Sequence, residues 1–241
     1  MQGSSPSSAR QFQNHPRGWD AGREIGGAIV SGAIVGGVLF GLEELIERRR
    51  EQRDINLNNQ LIERDAELAK ESMRHSLITA LTFKDDLTDI VLANQDLHKI
   101  VLAGRDLSGA NLRKVDLHGA ELTGAKLRVA DLSGAKLTDA NLTNADLHAA
   151  DLRNSNLAGA RPTDAKLTDA KLTHANLTGA NLTGADLTGA DLAGANLTDA
   201  SLYAADLTDA SLYSADLTNA VLIAANLQRV EGFDASAAAP E

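Results

Sequence analysis

The side chains best suited to chemistry here are carboxylates and histidines. Asp recurs through the second half of the chain, and His98 and His118 stand twenty residues apart. Two histidines could start a metal site, but no third ligand accompanies them, and with no Cys in the chain no thiolate site or disulfide is possible. They read as exposed surface histidines. The Asp residues do not follow the Gly-rich nine-residue pattern of calcium-binding β-helices, because their period is five. No nucleophile–base–acid set, phosphate loop or isolated carboxylate pair stands out. The sequence therefore predicts no catalytic residue, cofactor or metal, and no enzyme.

The element that positions these side chains is a repeat. From Leu87 to Leu227 every fifth residue is Leu, except Pro162. Two residues before each Leu, from Ala110 to Ala225, the residue is Ala except at Val115 and Ser155. Asp, Asn or Lys commonly precedes the Leu; Thr or Ser commonly follows it, then Gly, Asp or Asn. A period of five fits neither a helix of 3.6 residues per turn nor a strand of period two. It demands a chain that turns a corner every five residues, and these polar types suit corners.

The consensus A(D/N)LTG resembles the pentapeptide-repeat family. That resemblance implies an all-β solenoid: a right-handed quadrilateral β-helix, four pentapeptides to a coil, with Leu and the preceding Ala pointing inward. Residues 82–230 would make about seven coils, at ~4.8 Å per coil a rod of roughly 35 Å. Residues twenty apart then stack. The column Asp86, Asp106, Lys126, Asp146, Lys166, Asp186, Asp206 alternates in sign through its middle, a ladder of favourable pairs. Asp151, Lys171 and Asp191 form a second, although Asp131 meets Asp151 with like charge. The first coil carries Ile90, Gln95, Ile100 and Arg105 in place of Ala and reads as a capped end. Pro162 lacks a ladder donor and predicts a local bulge.

Ahead of the repeat, residues 1–20 are polar and read as a disordered tail, as do 231–241. Ile25 to Leu42 is uncharged for eighteen residues, which predicts a single-pass transmembrane helix within 21–42. Ala33, Gly37 and Gly41 form a small-residue stripe for helix association and a possible homo-oligomer. The cluster Arg48, Arg49, Arg50 and Arg53 after the span places the repeat domain in the cytoplasm. A soluble scaffold without insertion is the alternative. Residues 43–81 read as a charged helical stalk and cap, interrupted at Asn56–Asn59.

Formal net charge is −10, which argues against nucleic-acid binding. The charge is uneven. Between Leu172 and Gln228 stand Asp186, Asp191, Asp199, Asp206, Asp209 and Asp216 with no Lys or Arg, an acidic end for an unknown protein partner. Tyr203 and Tyr213 fall on opposite faces and are isolated anchors at most. The function expected is a membrane-tethered interaction rod. The alternative that the resemblance supplies is a DNA mimic acting on DNA gyrase, although its common central Phe is missing here.

Overall fold

The computed structural model describes residues 21–84 and 86–233, with side chains from residue 36 onward. The expected tail at 1–20 lies outside the described residues, as do residues 234–241 of the tail expected at 231–241. The chain divides into two compact units, residues 1–67 and 68–241.

The second unit is built from one local event repeated. In each pentapeptide the Leu carbonyl accepts the N–H of the third residue onward, as in Ala110 N to Leu107 O at 3.0 Å. This closes a turn whose third residue has positive φ, as type II turns require. Asn154 has φ 56° there and Gly109 has φ 70°. The residue before Leu locks the same corner. Asp106 Oδ1 accepts from Ser108 N at 3.1 Å and from Ser108 Oγ at 2.7 Å, and Asn176 Oδ1 accepts the same pair from Thr178. Asp or Asn before Leu and Ser or Thr after it thus form one hydrogen-bonded corner.

Successive coils join by parallel bridges between residues twenty apart, from Val91–Asn111 to Ser211–Glu231. Each wall is too short for a regular strand and contributes a single bridge per coil. Leu107 N donates to Lys126 O at 2.7 Å, and Gly109 N to Arg128 O at 2.9 Å. We number the walls by their leucines: the first holds Leu107, the second Leu112, the third Leu117 and the fourth Leu122, each repeating every twenty residues. Inside, the leucines and alanines form one continuous buried column. Both exceptions at the Ala position fit. Val115 is fully buried, and the Ser155 hydroxyl is satisfied by Leu152 O at 2.6 Å.

Pro162 corrects an expectation. It sits buried in register with no bulge. The cost is local: the Asn141–Arg161 bridge is kept, and Asn181 N still donates to Ala160 O at 2.9 Å. The carbonyl of Asn181, which a Leu N–H would have met, receives the Thr163 hydroxyl at 3.4 Å. The last coil also runs one residue beyond the expected boundary, with Leu212 N donating to Glu231 O at 2.7 Å.

Helix α1 spans Ala21–Phe83. Its last turns belong to the solenoid unit and close the first coil. Leu81 is buried in the core, and Leu77 and Ile78 pack against it. Arg74 donates to His98 O at 2.6 Å, and Arg105 donates to the Lys84 carbonyl. Arg105 stands where later coils have Ala because it caps the end of the tube.

Two expectations for α1 fail. The helix runs unbroken through Asn56–Asn59, because an Asn costs well under 1 kcal/mol against Ala and the flanking Gln, Glu and Arg are good helix formers. And among the described residues no helix is long and apolar enough to cross a membrane. This overturns the single-pass placement and the cytoplasmic orientation built on it. Six of the eighteen residues from Ile25 to Leu42 are Gly, which adds no apolar surface, and α1 continues at once into Glu43 and Glu44. The side chains of 25–35 lie outside the described residues.

Candidate interaction surface

The sequence-predicted acidic residues do not converge. Asp186 and Asp206 lie bridged to each other on the first wall, with Lys166 on the far side of Asp186. Asp191 is on the second wall between Lys171 and Ser211, and Asp216 is on the third beside Asn196. Asp199 and Asp209 occupy corners, with φ of 58° and 59°.

Several of these carboxylates also hold the fold together. Thr168 Oγ1 donates to Asp186 Oδ2 and Thr173 Oγ1 to Asp191 Oδ2, both at 3.1 Å. The Thr208 hydroxyl and amide hold the Asp206 carboxyl below its ordinary value, and those of Thr218 do the same for Asp216. Asp199 Oδ1 accepts from Asn219 at 3.1 Å. Asp209 is clamped by Arg229, Nε to Oδ1 and a terminal nitrogen to Oδ2, both at 2.5 Å, which lowers its pKa. That pair is readable at twenty-residue spacing, but Arg229 lies one residue past the window that defines the acidic end in sequence.

Nearer α1 the charges pair. Asp106–Lys126 closes at 3.3 Å as the expected ladder requires, and Asp116–Lys136 at 3.1 Å. Others run diagonally at a spacing of eighteen: Arg113 to Asp131 and Arg128 to Asp146, both at 3.2 Å. The like-charged neighbours Asp131 and Asp151 are each relieved by an arginine, Arg113 and Arg153. His98 is held by Asp96, Nδ1 to Oδ1 at 2.6 Å. Among the described residues no group of three or more side chains could hold a metal ion.

One surface escapes the sequence reading. On the fourth wall the outward residues Asn181, Thr183, Ser201, Tyr203, Val221 and Ile223 carry no charge. Tyr203 and Ile223 are successive in one column and half-exposed, at 48% and 49%. Gly184, Ala204 and Ala224 form the low corner that separates them from Asp186 and Asp206. The signal lies in the twenty-residue columns, once these are read for missing charge as well as for charge. Tyr213 stands on the opposite wall. Of the small-residue stripe, Gly37 and Gly41 face open space, and the Ala33 side chain lies outside the described residues.

The repeat is matched by the family model "Pentapeptide repeats (8 copies)" over residues 96–128, 130–161, 163–199 and 200–231, more than half of the chain. The chain belongs to the pentapeptide repeat family. Its solenoid is the right-handed β-helix of that family. Among solved structures it is similar to HetL, a pentapeptide repeat protein involved in heterocyst differentiation regulation from Nostoc sp. strain PCC 7120. Identity is 33% over 61% of this chain and 78% of that one, with a TM-score of 0.37. It is also similar to a trypsin-treated form of the plasmid-mediated fluoroquinolone resistance protein QnrB1, at 21% identity over 63% and 88% with a TM-score of 0.38. A third is the pentapeptide repeat protein Rfr23 from Cyanothece 51142, at 24% identity over 64% and 91%, TM-score 0.26. No curated protein sequence matches the chain.

Proposed function

We propose that this chain is a non-enzymatic interaction protein whose solenoid, a rod of about seven coils, binds a partner at its distal end. The docking surface is the corner between the first and fourth walls. Asp186 and Asp206 offer carboxylates on one side of it, and Tyr203 and Ile223 an uncharged, partly apolar strip on the other. The partner chemistry that fits is a basic protein segment carrying an apolar residue. Asp191, Asp199 and Asp216 extend the negative field around the same end, whereas Asp209 is neutralised by Arg229.

The observation that supports this reading most is the contrast along the rod. Nearer α1, several carboxylates are matched by Lys or Arg within 3.3 Å. At the distal corner Asp186 and Asp206 stand one above the other beside a wall without charge. A filled interior supports a role for the walls, since the column of Leu and Ala leaves no internal cleft. No specific observation favours the gyrase alternative, because paired charges replace an extended negative surface over the coils nearer α1.

The test is affinity capture from a lysate with full-length protein, comparing wild type with Asp186→Lys/Asp206→Lys and with Tyr203→Ala. Bound proteins that are basic, salt-sensitive and lost with both variants support the corner. A captured set unchanged by either variant refutes it.

A further inference from the structure

Because α1 is unbroken, residues 50–68 present one continuous face. Arg50, Asp54, Leu57, Leu61, Arg64 and Leu68 follow one another at steps of four, three, four, three and four, and all six are exposed. That is the 3.5-residue period of a coiled-coil seam. Leu57 and Leu68 are exposed by 57% and 61%. In proteins most helical stability comes from packing an apolar stripe, and among the described residues no side chain covers this one.

We propose that the occupant is a second copy of the same helix, running antiparallel. The charges in the seam decide the direction. In a parallel pair each layer would meet itself: Arg50 against the partner's Arg50, Asp54 against the partner's Asp54, Arg64 against the partner's Arg64. In the antiparallel register centred on Asn59 every charged layer of residues 50–68 finds a fitting neighbour. Leu57 packs on the partner's Leu61 and Leu61 on the partner's Leu57. These two layers are flanked on each side by Asp54 with the partner's Arg64. Beyond them the aliphatic stem of Arg50 covers the partner's Leu68. Arg53 faces the partner's Glu67 along one flank. Glu51 facing the partner's Asp65 along the other, and Glu47 facing the partner's Glu71 in the next layer outward, are the like-charge costs. The interface is isologous, so it closes at two copies and does not propagate into a filament.

The test uses the full chain and sedimentation equilibrium. Wild type is expected to sediment at twice the mass of one chain. Asp54→Arg and Arg64→Asp each turn both charged layers into like pairs, and each is expected to weaken association about tenfold or more, ~1.4 kcal/mol. The double exchange Asp54→Arg/Arg64→Asp restores opposite charges and is expected to recover wild-type association. Because the chain has no cysteine, direction can be read separately. A mixture of Leu57→Cys and Leu61→Cys proteins cross-links between the two kinds on mild oxidation in preference to within either kind. A monomer at about 100 μM, some 10⁻⁴ M and ~5.5 kcal/mol, overturns the proposal. So do single variants without effect, or Leu57→Cys cross-linking chiefly to itself.

Discussion

The two regions of this protein use the same apolar residues to opposite ends. In the solenoid Leu107, Leu127 and Leu147 are wholly buried. In α1 between residues 36 and 67 Leu45, Leu57 and Leu61 stand about half exposed. The residue type is the same; the spacing differs. A period of five bends the chain back on itself, so each Leu gains neighbours twenty residues away in the same molecule. A period near 3.5 keeps the chain straight, and its stripe can be covered only by another surface. Burial here follows from the repeat length and not from hydrophobicity alone.

The comparison breaks most visibly under truncation. Leu152→Ala in the solenoid is expected to cost about 2–5 kcal/mol, because the tube cannot collapse around the void. Leu61→Ala on the helix face, in protein dilute enough to be monomeric, should shift stability by less than about 0.5 kcal/mol. Urea unfolding followed by far-ultraviolet circular dichroism checks both, and equal losses would abolish the distinction. Enlarging the core gives the next effect. Ala170→Leu forces an additional side chain against a corner where the Ala is fully buried, with an expected cost of about 1–3 kcal/mol.

The corners sharpen the comparison further, since among the described residues positive φ occurs only in the solenoid. Gly159 has φ 66°, and a Cβ there would lie 2.5 Å from Asp139 Oδ1. Gly159→Ala is expected to cost about 1–2 kcal/mol. Val129 holds φ 56° with a β-branched side chain. Val129→Gly should therefore stabilise by about 1 kcal/mol, read as a higher urea midpoint.

The smallest effect is acid sensitivity. Hydrogen bonds from Thr208 and Thr218 depress the folded-state pKa of Asp206 and Asp216 below the ordinary 3.8. A depressed carboxyl contributes stability fully above its unfolded value and loses it as pH falls through the folded one. The urea midpoint of the solenoid should thus decline as pH falls below about 4. Asp206→Asn/Asp216→Asn should flatten that decline, because Asn keeps the acceptor, as Asn176 does for Thr178, and does not titrate. An unchanged slope in the double variant would remove these two corners from the account.

Much of the fold was legible because it rests on short-range rules. Leu97 and Ala110 declare their burial by spacing alone, and the cap at the first coil was visible in Arg105 and Ile100. The charge ladder was legible only in part. Asp106–Lys126 closes as expected, but Asp146 is taken by Arg128 through a diagonal that column-counting does not see. The acidic end looks like one feature in sequence and is six residues on three walls and two corners. A linear count ignores the right-angle turn between neighbouring repeats. The apolar run at Ile25–Leu42 suggests a membrane span only while uncharged length is weighed and the share of Gly is not.

By itself the sequence determined the repeat, the core and the turn chemistry, since each depends on residues within five positions or on an exact multiple of twenty. Tertiary structure alone decided which carboxylate each cation reaches and how Pro162 passes without a bulge. Those outcomes turn on side-chain reach between coils, a matter of a few ångströms that the order of residues does not specify.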